Sequence, residues 1–231
     1  VTKEYTSARL NSKFAFTYGK VDIRAKLPSG QGTWPALWLL GKNIDEDGAY
    51  WDTQGYDTKP WPACGEIDIM EHWGYNQDYI SSAIHTPSSY GGTVNVGGRK
   101  VDGVTTDFKV YTMIWTQDYI EFQVDGVTHY TYNPPVKDEN TWPFDLEHYF
   151  LFNVAILSDI QNTNFTQSSL EVDYIRVYEK TPLSRQKVSG IDAIRIYPNP
   201  AQTQVHLKNV DLVSRYSIYS ALGQSLRHEP L

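Results

Sequence analysis

The segment Gly65 to Gly74 reads GEIDIMEHWG and places three carboxylates, Glu66, Asp68 and Glu71, within six residues of an otherwise apolar run. Like charges at that spacing oppose one another's ionisation, and partial burial adds to the effect. One carboxyl can then keep its proton near neutrality while another stays an anion. A proton donor beside a nucleophilic anion is what cleavage of a glycosidic bond requires. The same acids would equally serve an edge strand as a solvated face that discourages sheet-to-sheet pairing, so the surrounding sequence has to decide.

Alternate residues of a strand share a face, so Glu66 and Asp68 point one way while Ile67 and Ile69 point into a core. Strict alternation would put Met70 beside the acids in place of Glu71. One extra residue at Ile69-Met70 restores Glu71 to their face, and bulges of this kind re-aim side chains beside active sites. The spacing therefore predicts a β-bulge. Four strand steps separate the two glutamates by roughly 13 Å at Cα. Their carboxylates reach the about 5–5.5 Å of a retaining glycosidase only on a concave face with both side chains leaning inward.

The chain also carries tryptophans at 34, 38, 51, 61, 73, 115 and 142, several of them on segments flanking the acids. Sugar rings stack on aromatic planes, so acids on a groove floor with indoles on its walls suit a polysaccharide. Trp34 and Trp61 each precede a proline and fit such a wall. Trp115, in the alternating YTMIWT, fits a core, and Trp38 fits either place.

Short β-branched or aromatic segments must position these residues: Tyr18 to Leu27, Thr33 to Leu40, Gly65 to Met70, Tyr79 to Thr86, Asp107 to Thr116, Tyr119 to Tyr132, His148 to Leu157 and Leu170 to Glu179. No stretch repeats with a helical period. Asp125-Gly126 splits one segment with the positive-φ pair that a type I′ hairpin demands. Many short antiparallel strands predict an all-β sandwich. The net charge of −7 is spread along the chain and would repel a polyanion, which excludes nucleic acid as a partner. No apolar run approaches the roughly 20 residues of a membrane helix. The single cysteine, Cys64, rules out a disulfide framework and reads as a buried thiol. Cys64, His72 and His85 lack zinc spacing, and neither a G-x-S-x-G elbow, an H-E-x-x-H pair nor a P-loop occurs.

The segments GEIDIMEHWG, YGKVDIRAKLPSGQGTWPALWLLG, AIHTPSSYGG, DFKVYTMIWTQDYIEFQVDG, PFDLEHYFLFNVA and VDYIRVYEK resemble, in that order, glycoside hydrolase family 16 and its laminarinase-type members. The resemblance runs from about Tyr5 to Lys180. It implies a concanavalin-like jelly roll of two antiparallel sheets and endo-acting, retaining hydrolysis of β-1,3-glucan. It makes Glu66 the nucleophile, Glu71 the general acid/base and Asp68 the residue that tunes their protonation. Arg9, Trp34, Trp38, His85 and Asn153 become substrate-binding positions, and Trp61 joins them from its place on the expected wall. The extra Met70 is similar to laminarinases, agarases and carrageenases. No cofactor is required, although Asp173 stands where such chains hold a structural calcium. Family members usually begin with several dozen further residues, and a Gly-Gly loop usually follows FNVA where this chain has ILSDIQNTNF. That departure keeps agarose, carrageenan and mixed-linkage glucan open as substrates. A non-catalytic carbohydrate-binding module on the same sandwich is the rival from another class, though a lectin gains nothing from crowded acids.

Residues 1–179 are thus expected to form the catalytic domain, with its first strands missing, and 180–192 a polar linker. Residues 193–231, with YPNP and ALGQ, resemble part of the C-terminal sorting domain of the type IX secretion system. That likeness implies a secreted or cell-surface protein. A monomer is expected.

Overall fold

The computed structural model describes residues 4–179, 195–197, 203–204, 206–208, 215–219 and 225–230. The chain divides into two units, Val1–Thr181 and Pro182–Leu231. In the first, eleven strands follow in order: β1 Arg9–Phe16, β2 Gly19–Lys26, β3 Thr33–Gly41, β4 Glu66–His72, β5 Tyr79–His85, β6 Val96–Lys100, β7 Lys109–Trp115, β8 Ile120–Val124, β9 Val127–Tyr132, β10 His148–Ile156 and β11 Glu171–Tyr178. They form a six-stranded sheet, β1-β10-β3-β4-β5-β6, and a five-stranded sheet, β11-β2-β7-β8-β9. All the pairings are antiparallel, as expected of this sandwich.

Alternation explains the packing. Along β2, Val21, Ile23 and Ala25 are fully buried while Lys20, Asp22 and Arg24 between them face out. The inner faces of both sheets meet in a core containing Ile67, Ile69, Met70, Tyr111, Trp115 and Phe122. Trp115 is 1% exposed, as its alternating segment predicts. A second cluster lies on the other face of the six-stranded sheet, where Leu40, Tyr149 and Leu151 meet Ile44, Trp51 and Cys64. It fastens the long connection between β3 and β4 onto that face. Asp125 and Gly126 have φ of 49° and 76°, as a type I′ turn requires.

Two strands escape the sequence patterns, and each has a physical reason. Strand β1 is an edge whose register shifts between Asn11 and Ala15, so no period survives. Strand β6 contains Gly97 and Gly98 because the sheets close on one another there: a Cβ on Gly97 would lie 2.7 Å from Tyr130 Cβ on β9.

In the second unit, β12 Arg195–Tyr197 pairs with β13 His206–Lys208, and β14 Arg215–Tyr219 with β15 Ser225–Pro230. The 180–192 linker and the ALGQ motif at 221–224 lie outside the described residues.

Trp115→Ala is expected to lower the unfolding free energy by about 3–5 kcal/mol, the range for a large aromatic removed from a packed core. Trp61→Ala, at a residue 42% exposed, is expected to change it by less than about 1 kcal/mol. Urea unfolding reads both, and similar losses at the two positions would contradict this division of core from wall.

Candidate active site

Strand β4 occupies the middle of the larger sheet, held by β3 on one side and β5 on the other. Glu66 pairs with Leu40 and His85, and Asp68 with Trp38 and Ala83. Beyond Asp68 the register shifts on both sides, and Glu71 pairs with Ala36 and Ser81. Ile69 and Met70 together oppose the single residue Ser82, which is the expected bulge. Ile67, Ile69 and Met70 all enter the core, so the extra residue does turn Glu71 back to the face of Glu66 and Asp68.

The three acids are buried to different depths, with Asp68 only 4% exposed. Burial is the largest cause raising each carboxyl. Glu66 is pushed up to about 8 by burial and then by the charge of Asp68. Asp68 lies well above the usual carboxylate range because of burial and then Glu71, and Glu71 is raised by burial. Two indoles work against these shifts. Trp61 Nε1 donates to Glu66 Oε2 at 2.7 Å, and Trp34 Nε1 donates to Glu71 Oε1 at 3.1 Å. His85 Nε2 stands 3.1 Å from Asp68 Oδ2, without the alignment of a hydrogen bond, and 3.7 Å from Glu66 Oε1. The group therefore titrates as one coupled unit that retains a proton at neutral pH.

The neighbouring strands supply the rest. Asn153 on β10 and Arg9 on β1 extend the row that runs through Ala36 and Glu71. Trp38 Nε1 donates to Asn153 Oδ1 at 2.7 Å, which leaves the Asn153 amide NH2 as the group offered to a hydroxyl. Arg9 lies 5.6 Å from the Trp38 ring centre. A hollow of about 300 Å3 beside Glu66 is lined by Arg9, Trp38, Glu46 and Trp61. The expected positions Glu66, Asp68, Glu71, Arg9, Trp34, Trp38, Trp61, His85 and Asn153 thus share one face of one sheet or its rim.

Other residues of this face were not foreseen. Glu46 holds Arg9 by two hydrogen bonds of 2.8 and 3.0 Å, but it sits in an irregular loop and shows no pattern in sequence. Trp73 stacks on Trp34 at 5.6 Å, and its place next to the acids was the available signal. Tyr90 meets Trp61 edge-on. Asp173 lies apart from the acids on the other sheet, where its carboxylate receives Arg24 Nη1 at 2.6 Å. Its side chain is 48% exposed, and an adjoining guanidinium opposes a cation, so the residues there do not fit a calcium site.

An acid-floored, aromatic-walled cleft on a two-sheet sandwich is the class of molecule these observations define. The chain belongs to family 16 of the glycosyl hydrolases, whose family model matches residues 1–176. It is 39% identical over 192 residues to a β-glucanase of Rhodothermus marinus, covering 76% of this chain and 63% of that one. It is 37% identical over 182 residues to a keratan-sulfate endo-1,4-β-galactosidase of Sphingobacterium multivorum, covering 74% of this chain and 39% of that one. The chain thus spans less than two thirds of either relative. Among solved structures, LamA of Z. galactanivorans in complex with laminaritriose and laminaritetraose matches with a TM-score of 0.67 and 40% identity, over 77% of this chain and 71% of that one.

The raised acids have a consequence for stability. Folded Glu66 titrates near 8 and its ordinary value is 4.5, so the folded state binds more protons between those pH values. Its penalty is absent below pH 4.5 and grows as pH rises to about 8. Glu66→Gln is expected to stabilise the fold at pH 8 by on the order of 1–3 kcal/mol, roughly 2–4 °C in Tm per kcal/mol, and to lose that advantage towards pH 4.5. Thermal scans across this range check the sign, and a difference in Tm that does not vary with pH would refute it.

Proposed function

We propose that this chain hydrolyses β-1,3-glucan internally, with retention of configuration, by double displacement. The observation that carries the reading is the bulge at Ile69-Met70, which sets Glu66, Asp68 and Glu71 on one buried, tryptophan-walled face. Glu66 attacks the anomeric carbon while Glu71 protonates the leaving oxygen. Glu71 then deprotonates the water that frees the glycosyl-enzyme ester, and the first state returns.

Asp68 supplies the tuning. While it is charged it is the second cause of the raised Glu66, so a proton on Asp68 lets Trp61 and His85 favour the Glu66 anion. Trp34, Trp38, Trp61, His85, Arg9 and Asn153 bind the polymer. The chemistry consumes water and needs no metal or cofactor. The complex of a similar structure with laminaritriose and laminaritetraose supports a β-1,3-glucan. Resemblance of the 193–231 segment to a sorting domain supports secretion or display on the cell surface, where a polymer too large to import is met. No helix among the described residues is long and apolar enough to cross a membrane. A β-galactan is the second reading, because the endo-β-galactosidase relative shares 37% identity. The segment after Ala155 closes against the residues just before β3. There Leu157 N donates to Gly32 O, and Gln31 donates to Asp159 in the turn Ser158–Asn162.

Reducing-sugar release from laminarin, lichenan, agarose and carrageenan separates the substrates, with anomeric NMR showing the β-product first. Glu66→Gln is expected to abolish release, and Glu71→Gln to slow it about 10²–10⁴-fold, the usual share of a general acid. Binding without any product would favour the carbohydrate-binding module, and release from agarose alone would select the galactan.

A further inference from the structure

The bulge that gathers the acids is held from below by side chains that never enter the cleft. On β5, Ser81, Ala83 and His85 oppose the acid-bearing residues, so Ser82 turns the other way and is fully buried. Its Oγ donates to the carbonyl of Ile69 at 2.7 Å. That carbonyl belongs to the bulge, where regular ladder pairing is interrupted. The same Oγ lies 2.8 Å from Nε2 of His129, which comes from β9 of the opposite sheet.

Proton counting orients this contact. A hydroxyl has one proton and a carbonyl only accepts, so the Ser82 proton goes to Ile69 and the Ser82 oxygen must receive Nε2–H from His129. Burial, and then the charge of Arg99, lowers His129 to about 4, so its ring is neutral at ordinary pH and carries its single proton on Nε2. Nδ1 of His129 is buried and has no hydrogen-bond partner, so nothing draws the proton to that side.

We propose that Ser82 and His129 are positioning residues for Glu71, acting through the Ile69 carbonyl to fix the bulge that aims its carboxylate. Glu66 and Asp68 lie before the register shift and keep their own pairings to His85 and Ala83. Loss of the relay therefore displaces Glu71 selectively and weakens protonation of the leaving group. The inference rests on the reading of Glu71 as general acid.

The test uses the full chain with Ser82→Ala, Ser82→Thr, His129→Phe and His129→Gln. Each is assayed on laminarin and on a 2,4-dinitrophenyl β-laminaribioside, whose leaving group departs without a proton. Ser82→Ala and His129→Phe are expected to lower kcat on laminarin about 10–100-fold, the scale of an ångström-sized misplacement. Their KM should stay within about twofold and their kcat/KM on the activated glycoside within about threefold of wild type. Ser82→Thr and His129→Gln, which keep the hydroxyl and the donor, should recover laminarin turnover. Equal losses on both substrates, or wild-type turnover in a folded Ser82→Ala protein, would overturn the proposal. If Ser82→Ala fails to fold, the two His129 variants carry the same comparison. A wild-type chain inert on both substrates would remove the proposed function itself, and this proposal with it.

Discussion

Three carboxylates on a buried face are an expense that the rest of the molecule has to offset, because a charge taken out of water is costly unless it is paired or neutralised. The fold meets this on a central strand. Strand β4 has ladder partners along both edges, so its backbone cannot swing to carry the acids into solvent. The relief comes instead from fixed groups: an indole N–H at Glu66, another at Glu71, and the His85 ring between Glu66 and Asp68. None of these groups lies on β4 itself. They are held by β3, β5 and the connection before β4, so the site exists only when the whole face is assembled.

That dependence explains the second apolar cluster. The connection between β3 and β4 carries Trp61 to Glu66 and Glu46 to Arg9, and an irregular segment of that length has no ladder to hold it. Ile44, Trp51 and Cys64 anchor it by packing on Leu40, Tyr149 and Leu151. Apolar burial thereby fixes a polar wall. Cys64 is part of the anchor, with burial and then Glu66 pushing its thiol up to about 12, so it remains an uncharged packing group.

The sandwich was legible in sequence wherever one face of a strand is buried, because period-two alternation records exactly that asymmetry, as along β2. The bulge was legible because three acids broke the period by one residue. Edge strand β1 and glycine-bearing β6 were not, since irregular register and close sheet approach leave no hydrophobic period. Within the site, side chains on regular strands could be placed by counting, but Glu46 could not, because its position depends on a loop path set by distant apolar contacts. Ser82 and His129 were hidden for another reason. They lie 47 positions apart in sequence and meet only when the two sheets pack.

The donors also distinguish the two glutamates. The hydrogen bond from Trp61 to Glu66, at 2.7 Å, is shorter than the 3.1 Å bond from Trp34 to Glu71. Short N–H bonds to a carboxylate favour the charged form more strongly. Glu66 has His85 at 3.7 Å as well, and repulsion from Asp68 is the main electrostatic cause opposing its charge. Asp68 is the more deeply buried group, and its Oδ2 receives no hydrogen bond. A proton on Asp68 removes the more deeply buried charge and the repulsion felt by Glu66 together. With a proton on Asp68, Trp61 and His85 are left to favour the Glu66 anion, and Glu71, whose carboxyl burial raises, is the proton donor that the proposed double displacement pairs with it.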